Sequence, residues 1–380
     1  MKYYFLIFVL ILISCNSEKK EIVEKDVSEN EEKDTMLILK PDVSSVWNEL
    51  DNIDSPAFYK DAANSFIIAT AKESDELVVY DAETAKEIRR VGGSGAELGQ
   101  FERPNGIWVY ANLCFVVERD NHRVQVLSLP DFKSLGFIGQ DKLIKPYGLT
   151  VFRKDGRYNL YVTDNYEFVE DSIPADSLLG KRVLHYSFEF AENIKNLKFE
   201  KYIGDTQGEG VLKVVESIYA DPVNDNLLIC EEFEGEGNTC IKLYDLNGKF
   251  KKVIGKGLFK SQAEGLALIK CGKDGYWVST DQSYNSNIFH FFDRKTFDLE
   301  ASFQSENLSN TDGIWITQQS FGVNSKGAFI AVNNDGGIGY WNLGPLLFKL
   351  DLNCNNSNSE NGEDEAIEVV GDINRIMIGM

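Results

Sequence analysis

The sequence predicts an all-β fold, a six-bladed β-propeller, on three observations. A unit of short strands recurs six times at spacings of roughly 40 to 70 residues, the range in which repeats mean solenoids or propellers. Helical periodicity is almost absent, so the units are meanders of strands. The chain of 380 residues is 43% hydrophobic, with 31 glycines for turns and only 8 prolines, which suits a turn-rich core and not a disordered chain.

The clearest unit is residues 261–294, SQAEGLALIKCGKDGYWVSTDQSYNSNIFHFFDR. It reads as a glycine-started strand, a charged Gly turn, a second strand, a polar loop and a third strand. So small a meander cannot bury its own faces and needs neighbours. The expected blades are residues 54–90, 105–139, 147–204, 216–255, 264–304 and 312–343, within a propeller spanning 46–346. The third carries an acidic surface insertion, EFVEDSIPADSLLGK. Gly92-Gly93-Ser94-Gly95 lacks the spacing of a nucleophile elbow and reads as an interblade turn.

Before the propeller, MKYYFLIFVLILISC has one lysine and an apolar run too short to span a membrane, as a secretory signal does. Its end resembles a bacterial lipobox, which makes residues 1–15 a lipoprotein signal and Cys15 the lipidated N-terminus. Residues 16–45 read as a charged tether, and 347–380 as a polar linker with a C-terminal segment that either closes the ring or hangs loose. The expected location is periplasmic or outer-membrane-anchored, with the membrane reached through the lipid. Export permits disulfides. Cys230 and Cys240 flank a hairpin where they could face each other, although a buried free thiol is the commoner fate of a strand cysteine.

A net charge of -21 excludes nucleic acid as a partner and favours a surface that concentrates cations. The residues opening the innermost strands crowd one mouth of the channel: Asp54, Asn105, Tyr147, Glu216, Glu264 and Asp312. A second ring comes from the ends of the second strands: Lys72, Arg119, Asp164, Glu231 with Glu232, Asp281 with Gln282, and Asn334 with Asp335. Converging carboxylates repel unless a cation lies between them, and oxygen ligands without nearby His or Cys select Ca2+. Beside Lys72 and Arg119, such a site suits phosphate. The histidines do not support a His-based mechanism: His122 reads as a structural hydrogen-bonder, and His185 and His290 as strand residues of the core or a blade face.

These residues also resemble a known family. DSPAFY, followed by FIIATAKESDELVVYDAETAKEI, is similar to the opening of the β-propeller phytases. KPYGLTVF, VESIYADPVNDNLLICEEF, AEGLALIKCGKDGYWVSTDQSYNSNIFHFFDR, TDGIWI and GAFIAVNND follow in the family's order. The resemblance implies a calcium-dependent phosphoric monoester hydrolase acting on phytate or a related phosphorylated small molecule, with water activated at the metal. It places Glu216, Glu231 or Glu232, Glu264 and Asp312 on calcium, with Asp54 and Asp335 as further candidates. Lys72, Arg119 and Tyr147 would contact phosphate, with Lys72 grouped among the catalytic residues alongside Glu216, Glu264 and Asp312. Five positions differ from the family pattern: Ser55 replaces an Asp, Gln262 an Asp and Ser217 a Gly, Pro104-Asn105-Gly106-Ile107 stands for an NNVD-like stretch, and no lysine follows VTD. Residues 95–127, GAELGQFERPNGIWVY followed by RDNHRVQVL, also look like an NHL repeat, which supplies the rival expectation of a non-catalytic, lipid-anchored propeller that binds a protein or glycan. A lactonase-type calcium propeller is a third class, disfavoured because no histidine falls at the mouth. A monomer is expected.

Overall fold

Short strands joined by tight turns pair with their sequence neighbours, and here they do so in six antiparallel groups. The computed structural model describes residues 36–170, 172–233 and 239–354. Blade one consists of Ile53–Lys60, Ser65–Ala71, Glu76–Asp81 and Glu87–Gly92, hydrogen-bonded in that order. The other blades open with Pro104–Tyr110, Pro146–Lys154, Val215–Asp221, Gln262–Cys271 and Ile314–Thr317. These six innermost strands touch one another in cyclic order, and the last meets the first. A closed ring of four-stranded sheets is a β-propeller, as the repeats predict.

The core lies between blades. Six clusters of buried apolar side chains fill the six interfaces, from Ile67, Val78 and Ile330 between blades one and six to Leu228, Leu243 and Trp277 between blades four and five. Second strands are therefore covered on both faces. Leu113–Glu118 and Asn226–Glu231 are buried at every position, which explains their continuous apolar runs.

Each blade has a fourth, outer strand that the repeat unit did not include. Glu87–Gly92 and Ile194–Ile203 are largely solvent-exposed and carry charge, so they lack the apolar signature of a strand. Blade six draws its outer strand from the other end of the chain, where Val43–Ser44 pairs with Tyr340 and Gly339. Leu37–Leu39 runs parallel to the outer edge of blade five. The propeller therefore starts at Leu37 and not at residue 46, and residues 37–44 cover strand edges that would otherwise be open. The signal, Cys15 and residues 16–35 lie outside the described residues, as does the chain after 354.

Helix α1 (Leu343–Lys349) follows the last blade and buries Leu343, Leu346 and Leu347. Beyond it Cys354 forms a disulfide with Cys271 of blade five. Cys230 and Cys240 are free. Cys240 stands opposite Glu231 and Cys230 opposite Ile241, so the two thiols lie on opposite faces of the blade and cannot bridge. The Gly92–Gly95 stretch does connect blades one and two. His185 and His290 are buried within strands. His122 is not in a strand: it is an exposed turn residue with φ 55°. No helix among the described residues is long and apolar enough to cross a membrane.

Candidate metal centre at the channel mouth

Five of the innermost strands break register at the mouth, between Ile53 and Pro56, Pro104 and Ile107, Pro146 and Leu149, Val215 and Ile218, and Glu264 and Leu266. A bulge re-aims a side chain that regular pleating would send between blades. Asp54, Tyr147, Glu216 and Glu264, with Asp312 from just before Ile314–Thr317, line one small cavity of about 20 Å³, room for one water-sized species.

The residue after each mouth position is Gly or Ser, and at the four glycines the next blade's backbone presses on it. A Cβ on Gly148 would sit 2.1 Å from the Glu216 carbonyl oxygen, and one on Gly106 2.6 Å from that of Tyr147. The preceding blade clamps the carbonyls of three mouth positions. Thr163 Oγ1 donates to the Glu216 oxygen at 2.9 Å, Cys230 Sγ to the Glu264 oxygen at 3.3 Å, and Thr70 Oγ1 to the Asn105 oxygen. Each donor is the last residue but one of its second strand, in Thr70-Ala71-Lys72, Thr163-Asp164-Asn165 and Cys230-Glu231-Glu232. That recurring T/C-x-polar pattern was readable in the sequence, and sequence reasoning passed over it.

Blades four and five supply the acidic half. Carboxylate oxygens of Glu216, Glu232 and Glu264 all lie within 4.8 Å of one another. Glu232 and Glu264 are 5% and 4% exposed, and Glu232 Oε1 and Glu264 Oε2 are buried without a hydrogen-bond partner. Burial, then the surrounding carboxylates, pushes all three acids well above the usual carboxylate range. The donor set is hard oxygen only, with unpartnered atoms at its centre, and it fits a divalent cation such as Ca2+.

Blades one and six supply a half that already holds a cation of its own. Lys72 Nζ lies 2.8 Å from Asp54 Oδ1 and 3.1 Å from Asp312 Oδ2. Ser55 Oγ donates to Asp54 Oδ2 at 2.9 Å, and Gln282 Nε2 donates to Asp312 Oδ1. Burial alone would lower the Lys72 pKa, but Asp54, Tyr147 and Asp312 hold it well above the ordinary lysine value. Burial, opposed by Lys72 and helped by Asp54, lifts Asp312 to about 7. Tyr147 donates to Glu216 and is raised by burial and by that carboxylate. Asp335 is half-buried, raised by burial, and accepts from Asn310 Nδ2 at 3.1 Å.

Three expectations change. Glu231 turns away from the mouth, taking the Lys213 and Val214 backbone N–H groups at 2.8 and 2.9 Å and Lys242 Nζ at 3.1 Å. Asp164 and Asp281 bind loop backbone in the same way. Consecutive strand residues face opposite sides, so of Glu231 and Glu232 only Glu232 reaches the centre. Arg119 is paired with its neighbour Asp120 at 2.7 Å and has no described contact with the mouth carboxylates. Arg103, which sequence reasoning missed, lies within electrostatic reach of Tyr147, and its Nε is buried without a partner.

Below the cavity the channel is lined by Ile107, Leu149, Ile218, Leu266 and Ile314. Trp108 crosses it edge-on to Tyr219 and Trp315, at 4.9 and 5.1 Å between ring centroids. The charged groups therefore sit over an apolar floor, where unpaired charge is costly.

The fold and site together define a six-bladed propeller with a split, strongly acidic mouth. No protein-family model matches the chain, and no curated protein matches it. Among solved structures it is similar to the hydrazine synthase of Kuenenia stuttgartiensis, at 11% identity over 75% of each chain and a TM-score of 0.45. It is also similar to the β-propeller domain of Cps50 (Swd1) from Myceliophteria thermophila, at 10% identity over 80% of this chain and 99% of that one, with a TM-score of 0.47. Neither likeness bears on the chemistry of the mouth.

Proposed function

We propose that the protein is a calcium-dependent phosphomonoester hydrolase of the β-propeller phytase kind, acting on a phosphorylated small molecule. One observation carries the reading: the carboxylates of half-buried Glu216 and buried Glu232 and Glu264 converge within 4.8 Å, with an unpartnered oxygen on Glu232 and another on Glu264. When bound, calcium supplies Lewis-acid polarisation of a phosphate oxygen and the positive charge that an anionic substrate requires. Glu216, Glu232 and Glu264 hold it, and Tyr147 orients Glu216 through its hydroxyl. Lys72 holds Asp54 and Asp312 in place, and reaches a phosphate only by giving up one of those carboxylates. The apolar floor excludes water from below. In this reading the protein is exported, lipidated at Cys15 and held at a membrane, with its mouth open to small solutes.

A binding-platform reading draws on a different observation. Trp47, Leu50, Phe168, Val169 and Tyr284 are exposed on loops that the topology places on the mouth side. Assays of phosphate release from phytate and 4-nitrophenyl phosphate, with calcium and with EGTA, separate the two. Calcium-dependent release that EGTA and Glu264→Gln both abolish is expected. Folded, calcium-loaded protein that releases none from either compound would leave the platform.

A further inference from the structure

We infer that Lys72 is a built-in second cation, so that the mouth binds a single divalent ion, between blades four and five, while blades one and six are closed to metal. The inference rests on the calcium reading above and adds its stoichiometry and location.

The argument comes from which oxygens are spoken for. In the blade one and six half the oxygens of Asp54 and Asp312 are each engaged, Asp54 Oδ1 by its 2.8 Å ion pair with Lys72 and not by a hydrogen bond. Asp54 uses Oδ1 for Lys72 and Oδ2 for Ser55, while Asp312 uses Oδ2 for Lys72 and Oδ1 for Gln282. The ammonium is 8% exposed and sits between the two carboxylates, where a metal ion would otherwise have to go. A divalent ion placed there would confront a fixed positive charge within a few ångströms and strip both acids of their donors. In the blade four and five half the opposite holds. Among the described residues no cationic side chain lies within ion-pair distance of Glu216, Glu232 or Glu264, Lys72 acting on Glu216 and Glu264 only at longer range, and Glu232 Oε1 and Glu264 Oε2 are buried with neither a hydrogen bond nor an ion pair.

Charge arithmetic agrees. Asp54 and Asp312 with the Lys72 ammonium leave one surplus negative charge, as Glu216, Glu232 and Glu264 do with one divalent ion, while Asp335 stands half-buried beside the first group and accepts from Asn310. Lys72 comes from the end of blade one's second strand, the position that Glu232 occupies in blade four and Gln282 in blade five. One structural position thus carries the tethered cation in one blade and a metal ligand in another.

The test counts calcium per chain by equilibrium dialysis of the full-length protein, with no substrate present. Wild type is expected to hold one calcium, Glu264→Gln none, and Asp312→Asn still one. Lys72→Met, which removes the charge while keeping the length, should hold two. Two calcium ions in wild type, or one in Lys72→Met, would overturn the inference and leave the hydrolase reading standing. None in wild type would overturn both. One calcium with no phosphatase activity would overturn only the hydrolase reading. Should Lys72→Met fail to fold, the other three proteins still decide: an ion lost with Asp312→Asn and kept with Glu264→Gln would lie in the wrong half.

Discussion

Gly148→Ala is the sharpest probe of how the propeller builds its mouth. A Cβ at this position would stand 2.1 Å from the Glu216 carbonyl oxygen, whereas ordinary contact begins near 3.4 Å, so that oxygen would have to retreat by about 1.3 Å. It cannot do so freely, because Thr163 Oγ1 holds it at 2.9 Å. Blades one and four carry Ser55 and Ser217 at the equivalent position, while at Gly106, Gly313 and Gly265 a Cβ would stand 2.6, 2.7 and 3.0 Å from the next blade's carbonyl oxygen, so Gly148 is the tightest of these sites. Overpacking of this kind costs about 1–3 kcal/mol. The strain falls on the backbone of a carboxylate whose oxygens must meet those of Glu232 and Glu264 within 4.8 Å. Urea unfolding should show the stability loss, and calorimetric titration should show calcium affinity reduced by about tenfold or more, since a loss of 1.4 kcal/mol in binding is tenfold. Wild-type stability together with wild-type calcium affinity would refute the claim that the glycine sets the place of Glu216.

Two further outcomes follow from buried charge. Arg294 reaches from blade five to Asp221 of blade four with contacts of 2.9 and 2.7 Å, both side chains 1% exposed, and also donates to the Gly272 and Asp274 carbonyls. Arg294→Met leaves Asp221 buried without its cation and should cost about 3–5 kcal/mol in urea unfolding; a loss below about 1 kcal/mol would contradict it. The second outcome concerns pH. Asp312 rises from an ordinary 3.8 to about 7, so the native state binds this proton more tightly than the unfolded chain does. Its stabilisation is complete below about pH 4 and is lost as pH climbs to 7, at up to about 1.4 kcal/mol per unit. Glu216, Glu232 and Glu264, also raised, extend the loss upward. His185, held down to about 4 by burial, acts oppositely, but only up to its ordinary 6.5. In EGTA the urea midpoint should therefore be lower at pH 8 than at pH 6.5, and calcium should narrow the gap; equal midpoints in EGTA would count against a strained cluster.

Much of this was legible without coordinates. Strand-turn-strand units repeat because every blade solves the same burial problem, so six second strands read as apolar runs and their number predicts the ring. Asp54, Glu216, Glu264 and Asp312 could be assigned to one mouth because each holds the same place in its repeat. Outer strands were not legible, since an edge half in water needs no apolar pattern, and Leu37–Leu39 and Val43–Ser44 reveal their role only by pairing with strands some 250 or more residues away.

Residue types and their repeat positions were thus determined by the sequence alone, down to an acid-rich mouth with a lysine in it. Tertiary structure alone decided which carboxylate faces which neighbour. Glu232 joins the cluster and Glu231 leaves it because alternate strand residues point to opposite faces once the blade is laid down. Lys72 finds Asp54 and Asp312, the latter 240 residues away, because ion pairing depends on distances of a few ångströms that no spacing along the chain encodes.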